Sequence, residues 1–294
     1  MKRVAVFAFY DGKGKVRRYV LSYLKELKKH ADKIVFVADN ALEKEEAEKL
    51  NGSVDFVVAA RHGEYDFGSY KRGVALAKRE GLLASADELI LCNDSCFCVG
   101  GFSSVFERMA RTESDFFGLV ETDVFQRHLQ SYFLVFKKQC FEHLQEFLET
   151  VAHKNSLREV VLSYETVLTA FLESRGLKSA ACVVAQKNVN PTKRPLEMMR
   201  EYGFPLIKKK CFVEPSACDE SVGKVFDALS ESCRKDVCDA FDCADKGRLL
   251  NGLRFRRFKE FLFKKKVTSK GKLLIKVFKI PVYGKKIKTD ACAG

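Results

Sequence analysis

The sequence lacks several features that mark well-known classes of protein. It has no tryptophan and only 5 prolines, so its 25 phenylalanines provide most of the large apolar side chains. No stretch approaches the roughly 18 consecutive apolar residues of a membrane-spanning helix. A Gly-x-x-x-x-Gly-Lys-Ser/Thr loop is also missing, which argues against the chemistry of P-loop nucleotide hydrolases.

The 11 cysteines are scattered and include no Cys-x-x-Cys pair, and the chain has only 5 histidines. Structural zinc sites use closely spaced cysteines or histidines, so we expect reduced thiols packed as small apolar side chains in a cytoplasmic protein. The apolar run of residues 4–10 ends at Asp11 without a small-residue cleavage site. We therefore interpret this run as a buried strand rather than as a signal peptide.

Positive charge is concentrated late in the sequence. The formal net charge is +13, and residues 246–288 hold 16 lysines and arginines against one acid, Glu260. As a helix, this segment would place Phe255 and Phe258 opposite Arg257, a pattern typical of peripheral binding to an anionic membrane. Two alternatives stay open: docking of the apolar side on the main domain, and nucleic-acid binding, for which no recognised module is found.

Short apolar runs alternate with helical patterns along the chain. The predicted strands are 4–9, 33–38, 55–58, 88–92, 116–119, 131–136 and 180–184, and the predicted helices are 16–30, 42–50, 69–81, 102–111, 141–153, 164–174 and 219–245. This alternation predicts an α/β fold with a mostly parallel central sheet flanked by helices. We place one domain at residues 1–215 and a helical, strongly basic extension at residues 216–294.

Ligands of such sheets gather at the carboxyl ends of the strands, where Tyr10, Asp11 and Asp39 are candidates. A further apolar strand runs into Asn93, Asp94 and Ser95. The Asp94 carboxylate can hold Mg²⁺ or Mn²⁺ against a diphosphate leaving group, and its two neighbours can bind ribose or phosphate. The alternative is a plain turn, which the same residue types favour.

Residues 61–71 are dense in polar and aromatic side chains around two glycines. Arg61 and Lys71 are suited to phosphate oxygens, and Asp66 is suited to hydroxyls of a ribose or a sugar. The alternative is an ordinary loop followed by a helix that begins at Ser69.

Three residues are candidates for binding an acceptor sugar. Gln130 and Tyr132 are two positions apart in a predicted strand, so they should face the same side, with His128 just before them. Glu165 opens a predicted helix, where a carboxylate can act as general base toward a hydroxyl group. For the three strand residues the alternative is an ordinary strand edge, and for Glu165 it is an acid that the helix dipole favours.

Together, these segments resemble the rhamnan synthesis F family of bacterial polysaccharide glycosyltransferases over roughly residues 1–215. The matching segments, in order, are 9–20, 61–71, 91–95, 115–119, 128–133, 164–165 and 204–208.

The resemblance implies a GT-A-like nucleotide-sugar domain, a dTDP-rhamnose-type donor and a lipid-linked saccharide acceptor, at the cytoplasmic face of the membrane. It places Asp94 where the acidic motif of that fold contacts the donor diphosphate, usually through a metal, although the motif here has one carboxylate rather than two. It also implies that Glu165, followed by Gly176, is the base of an inverting reaction. A nucleotidyl- or phosphotransferase and a non-catalytic binding module remain the alternatives.

Overall fold

The structure, a computed structural model, describes residues 1–187, 189–214, 216–267, 272–277 and 280–286, with side chains described as far as Arg256. Its strands are β1 Arg3–Phe9, β2 Lys33–Ala38, β3 Phe56–Ala59, β4 Glu88–Asn93, β5 Cys96–Cys98, β6 Phe116–Thr122, β7 His128–Leu129, β8 Phe133–Lys137, β9 Ser179–Val184, β10 Leu206–Lys208, β11 Phe263–Val267, β12 Lys272–Val277 and β13 Ile280–Lys286. Its α-helices are α1 Arg18–Leu27, α2 Lys44–Glu48, α3 Tyr65–Arg79, α4 Leu82–Ser85, α5 Ser103–Ala110, α6 Phe141–Glu149, α7 Leu157–Val160, α8 Thr166–Glu173, α9 Pro195–Tyr202, α10 Val222–Ala228, α11 Glu231–Ala240 and α12 Lys246–Leu262.

Eight strands form the central sheet, in the order β3-β2-β1-β4-β8-β6-β7, with β9 beside β6. The pairs β1–β2, β1–β4, β2–β3 and β6–β9 are parallel, whereas β8 runs antiparallel to both β4 and β6. The prediction of an α/β fold with a mostly parallel sheet flanked by helices is confirmed. Outside this sheet, β5 and β10 form a short antiparallel ribbon.

Apolar side chains cover both faces of the sheet. On one face, the ring centroid of Tyr23 in α1 lies 5.1 Å from that of Phe7 in β1. On the other face, the ring centroid of Phe67 in α3 lies 6.4 Å from that of Phe147 in α6. Because helices bury both faces, the central strands are continuous apolar runs, and residues 4–9 are buried throughout.

The helix that contains Glu165 begins earlier than the sequence predicts. It starts at Leu157, after Ser156 accepts a hydrogen bond from the amide of Glu159, and continues through one π-helical turn, Val161–Glu165, into α8. The prediction that Glu165 opens a helix is therefore wrong, and the macrodipole of a helix start does not explain an acid at this position.

The segment after residue 216 is helical only in part. Helices α10 and α11 contribute Val225 and Val237 to the same core as α1, and α12 docks through buried Leu249 and Leu253. From residue 263 the chain forms the three antiparallel strands β11–β13, so the prediction of a helical extension is wrong there. The β-branched and aromatic content of residues 273–283 favours strands over a helix.

The first part of α12 matches the docking alternative. Arg256 donates a hydrogen bond to the carbonyl oxygen of Val213 at 3.0 Å, and Lys246 pairs with Asp227 at 2.5 Å. Phe255 on this helix is 58% exposed. The predicted membrane face at Phe258 and beyond lies outside the described side chains. In the described part of the chain, no helix is long and apolar enough to cross a membrane.

We expect Gly73→Ala to lower the free energy of unfolding by about 1–3 kcal/mol, because a Cβ atom there would lie 2.3 Å from Val6 Cγ1 in the middle of the sheet. The matched control is Gly252→Ala in α12, where nothing lies within 4 Å and alanine should stabilise the helix by up to about 1 kcal/mol. Urea denaturation of both variants measures the difference. Equal stability of the Gly73 variant and the wild type would contradict the close packing of α3 on β1.

Candidate functional site

The turn after β4 is fixed by the side chain of Asn93. Its Oδ1 accepts hydrogen bonds from the backbone amide and the hydroxyl of Ser95, at 3.1 and 2.6 Å. Its Nδ2 donates to Asp66 Oδ2 at 2.7 Å, which joins the turn to the first turn of α3. Asn93 thus acts as a support that positions Ser95 and Asp66.

Asp94 is paired with a lysine from a distant part of the chain. Its Oδ2 accepts hydrogen bonds from Lys209 Nζ and from the hydroxyl of Tyr19, both at 2.6 Å. The backbone amide of Lys209 donates to the carbonyl oxygen of Ser95 at 2.8 Å, immediately after β10 pairs with β5. The ribbon therefore places the ammonium group beside the acidic motif.

Asp39 organises the loop that follows β3. Its Oδ1 accepts hydrogen bonds from the amides of His62 and Gly63, at 2.7 and 2.8 Å, and its Oδ2 pairs with Arg61 Nη1 at 2.8 Å. Gly63 has φ of +70°, a conformation that favours glycine. The guanidinium of Arg61 also lies 5.1 Å from the ring centroid of Tyr10.

These elements enclose a cleft of about 420 Å³ at the carboxyl ends of β1, β2 and β4. Its lining consists of Phe9, Tyr10, Asp39, Arg61, Gly63, Tyr65, Asp66, Ser69, Asp94, Ser95, His153, Lys154, Asn155, Leu157 and Lys209. Six of the predicted donor-binding residues are in that set, and Asn93 supports two of them. A larger groove of about 620 Å³, between α9 and α10, contains none of the predicted site residues.

Besides Asn93, two predicted donor-binding residues, Lys71 and Asp11, do not line the cleft. Lys71 donates to the carbonyl oxygens of Val151 and Glu149, at 2.9 and 3.3 Å, at the end of α6. Asp11 Oδ1 accepts hydrogen bonds from the backbone amides of Lys13 and Lys15, so this side chain stabilises the loop that contains it. The phosphate contact predicted for Lys71 is therefore not supported by its position.

Asp66 and Glu165 have opposite electrostatic environments. Burial, with a contribution from Asp94, raises the pKa of Asp66 to about 7. Burial would also raise the pKa of Glu165, but contacts with His128 and Ser131 outweigh it and lower that pKa to about 2. Separation of two carboxylate pKa values in this way is a feature of many acid–base sites.

Glu165 is held by the segment between β7 and β8. Its Oε2 accepts from the backbone amide of Ser131 at 3.1 Å and from the Ser131 hydroxyl, and its Oε1 lies 3.6 Å from His128 Nε2. Glu165 does not line the 420 Å³ cleft, although its charge helps to raise the pKa of Asp66, which does. Asp94 therefore lines the cleft and Glu165 does not, and the charges of both contribute to the raised pKa of Asp66.

The predicted acceptor-side residues are more buried than a binding surface requires. Gln130 donates to Asn190 Oδ1 at 3.2 Å, and His128 Nδ1 contacts the carbonyl oxygen of Gln126 at 2.7 Å. Tyr132 is buried just before β8, with its hydroxyl lacking a hydrogen-bond partner among the described residues. Lys208 Nζ lies 3.6 Å from the centroid of the Tyr132 ring. None of the three predicted residues lines the cleft.

Sequence reasoning missed Lys209 and Tyr19, the two partners of Asp94. The only available signal was the run of three lysines, 208–210, directly after an apolar segment. Neither residue is near Asp94 in sequence: Tyr19 lies on α1, and Lys209 is placed by the pairing of β10 with β5.

The described residues do not fit a divalent cation well. No group of three or more His, Cys, Asp or Glu side chains suited to a metal ion occurs in the described part of the chain. One oxygen of Asp94 already bonds an ammonium and a phenol, and Asp66 accepts from Asn93. The metal role expected for Asp94 stays a prediction that this geometry does not favour.

Several solved structures show partial likeness to this chain. A cytidylyltransferase from Leptospira borgpetersenii serovar Hardjo-bovis is 12% identical over 88% of this chain and 96% of that chain, with a TM-score of 0.40. A 4-diphosphocytidyl-2C-methyl-D-erythritol synthase from Anaerococcus prevotii is 13% identical over 63% and 88%, with a TM-score of 0.38. The mannosyltransferase Ktr4p from S. cerevisiae is 6% identical over 50% and 59%, with a TM-score of 0.34.

No curated protein matches the sequence. A family model described as rhamnan synthesis protein F matches residues 34–241, more than two thirds of the chain. This match includes the loop at Asp39, the turn at Asp94 and the ribbon that carries Lys209, and it extends through α11. The chain therefore belongs to the rhamnan synthesis protein F family.

Proposed function

We propose that the protein is an inverting glycosyltransferase that moves L-rhamnose from dTDP-rhamnose onto a lipid-linked surface polysaccharide. The single observation that carries this proposal is the cleft, which combines carboxylates suited to hydroxyl groups with cations suited to a diphosphate. Family membership supports a transferase of the nucleotide-sugar type. The cleft volume, about 420 Å³, is in the usual range for small-molecule sites.

The donor is expected to lie along the carboxyl ends of β1, β2 and β4. Asp39 and Asp66 are suited to accept hydrogen bonds from ribose or sugar hydroxyls, and Tyr10 with Arg61 provides a ring and a cation at the cleft edge. The diphosphate then lies beside Asp94 and Lys209, at the turn after β4. This placement follows the general rule for ligands of open α/β sheets.

Transfer is a single displacement at the anomeric carbon. The acceptor oxygen forms a bond to that carbon as the bond to the diphosphate oxygen breaks, and the nucleoside diphosphate leaves with the bonding electron pair. The acceptor proton passes to Glu165. In the structure the Ser131 hydroxyl bonds to the Glu165 carboxylate, and we infer that the acceptor hydroxyl replaces it there. Loss of that bond would also raise the proton affinity of Glu165.

Product analysis tests this function. Purified protein, dTDP-rhamnose and membranes bearing the lipid-linked acceptor should release dTDP, and NMR should show an inverted anomeric configuration. UDP-glucose serves as the control donor and should be turned over at least about tenfold more slowly, because the site must discriminate its hydroxyl pattern. Release of nucleoside monophosphate and pyrophosphate, without nucleoside diphosphate, would instead establish a nucleotidyltransferase.

The basic segment is proposed to hold the enzyme at the inner face of the membrane and not to bind nucleic acid. Because each lysine near an anionic surface contributes about 1 kcal/mol, changing Lys264, Lys265 and Lys266 to glutamine should weaken binding to anionic vesicles about a hundredfold. The control changes exposed Lys2, Lys44 and Lys78 in the same way. Vesicle flotation measures both variants, and equal flotation would contradict a specific role of the segment.

A further inference from the structure

We propose that the ammonium group of Lys209 binds a phosphate oxygen of the donor diphosphate, so that donor binding requires no divalent cation. This inference rests on the proposed function, and it assigns to Lys209 the position that a metal ion takes in many enzymes of this kind.

Lys209 is held in place by backbone contacts. Strand β10 pairs with β5 over three residues, with Lys208 opposite Cys96, and the amide of Lys209 donates to Ser95. The side chain then crosses the face of Tyr19, with Nζ 4.6 Å from the ring centroid. A lysine fixed at its backbone and along its stem loses less conformational entropy on binding a ligand than a free one.

Asp94 is already neutralised by this lysine. Lys209 Nζ and the Tyr19 hydroxyl both bond to Oδ2, at 2.6 Å, in a setting where the Asp94 side chain is only 9% exposed. Magnesium needs near-octahedral oxygen coordination at about 2.0–2.1 Å, with one or two carboxylates beside the substrate phosphates. A cation at Oδ2 would have to displace the ammonium group, and Oδ2 of the Asp66 carboxylate already accepts a hydrogen bond from Asn93.

The ammonium group retains capacity for a phosphate. It has three N–H donors, of which the structure uses two, toward Asp94 and the Tyr19 oxygen. The side chain is 26% exposed and lines the cleft, so the third donor is available to a phosphate oxygen. Lys208 Nζ donates to the Ser95 hydroxyl at 3.4 Å and adds positive charge next to the same turn.

Calorimetric titration with dTDP tests the inference on the full chain. In EDTA the dissociation constant should stay within about twofold of its value with Mn²⁺. Lys209→Met should weaken dTDP binding by about 10- to 100-fold, the usual effect of losing a charged hydrogen bond. Lys209→Arg should recover part of that loss. The matched control is Lys210→Met, because Lys210 is the adjacent exposed lysine of the same run. This control should leave the affinity for dTDP unchanged.

Binding of dTMP separates a local effect from misfolding. This ligand lacks the second phosphate, so its affinity should be the same for Lys209→Met and the wild type, whereas a misfolded variant would lose it. Binding of dTDP only in Mn²⁺, or normal dTDP binding by Lys209→Met, would overturn the role of Lys209 while leaving the proposed function intact. Failure of dTDP to bind under any condition would contradict the proposed function and this inference together.

Discussion

Glu165→Gln is expected to slow sugar transfer at least about a hundredfold while leaving donor affinity within about twofold of the wild type. Glu165 lies outside the cleft proposed for the donor, so its loss should not disturb nucleotide binding. Transfer should fail because an amide cannot take the proton from the acceptor hydroxyl. Steady-state release of dTDP gives the rate, and calorimetry with dTDP gives the affinity.

The amide should fit without disturbing the fold. Its oxygen can still accept the hydrogen bond from the Ser131 amide, and its NH₂ group can donate to the neutral form of His128, which lies 3.6 Å from the present carboxylate. Burial lowers the pKa of His128, but the contacts with Glu165 and with the Gln126 carbonyl oxygen together raise that pKa. In the variant that pKa should fall, which NMR titration of the ring detects independently of activity.

A matched control lies on the same helix. Glu173 in α8 binds Arg127 at 2.8 Å and Ser179 at 2.6 Å, away from the cleft, so Glu173→Gln should keep wild-type turnover. Near-normal turnover by Glu165→Gln would remove Glu165 from the mechanism. The carboxylate that would then best suit the role of base is Asp66, because its pKa is about 7.

Asp66→Asn is expected to make the protein more stable at neutral and higher pH. Burial raises the folded-state pKa of Asp66 above its unfolded value, so the folded state binds the proton more tightly and wild-type stability falls as pH rises from about 4 to about 7. Asparagine lacks this titration and can still accept from Asn93. Between pH 5 and pH 8, the advantage of the variant should grow by about 2–3 kcal/mol.

Asp115→Asn is a control of opposite sign. Hydrogen bonds from Lys178 and Gln139 lower the pKa of Asp115, so its carboxylate stabilises the fold above about pH 4, and its loss should destabilise the protein at pH 8. Urea denaturation at pH 5 and pH 8 measures both variants. A stability difference between Asp66→Asn and the wild type that does not change with pH would contradict the burial of an ionisable carboxylate.

Asp66→Asn should also weaken donor binding. If Asp66 accepts a hydrogen bond from a ribose or sugar hydroxyl, the amide keeps one acceptor oxygen but loses the charge, and affinity for dTDP-rhamnose should fall about tenfold. Gain of stability with loss of binding is the pattern expected when a buried charge is kept for function. Unchanged affinity would place Asp66 outside the donor site.

The parts of the fold that the sequence predicts are those with strong local patterns. Residues 4–9 and 89–92 are continuous apolar runs because helices cover both faces of the sheet, and this is visible without a structure. Polar residues that follow such runs, including Asp39 and Asp94, must meet at one edge. Strand ends alone therefore predict Tyr10, Asp39, Asp94 and Ser95 of the cleft lining, and the polar segment 61–71 adds Arg61 and Asp66.

The errors arise where contacts are distant in sequence or where a helix start is unmarked. Helix α3 begins at Tyr65 rather than at Ser69, and Tyr65 has a φ of +58°, which no local pattern indicates. Lys71 therefore lies in the second turn of α3 and reaches α6 instead of a phosphate. The pairing of Lys209 with Asp94 depends on a three-residue ribbon between segments more than 100 positions apart, which periodicity cannot show.

The β5–β10 ribbon positions the Lys209 ammonium group in the cleft but is not part of the eight-stranded sheet. In the described part of the chain, strand β10 pairs with β5 and with no strand of the eight-stranded sheet, and it follows Gly203, a left-handed residue at the end of α9. Insertions or deletions near residue 203 would shift the ammonium group without breaking a single pair of the eight-stranded sheet. Related chains are therefore expected to differ more in how they bind the leaving group than in their fold, and the β5–β10 ribbon is the part expected to change.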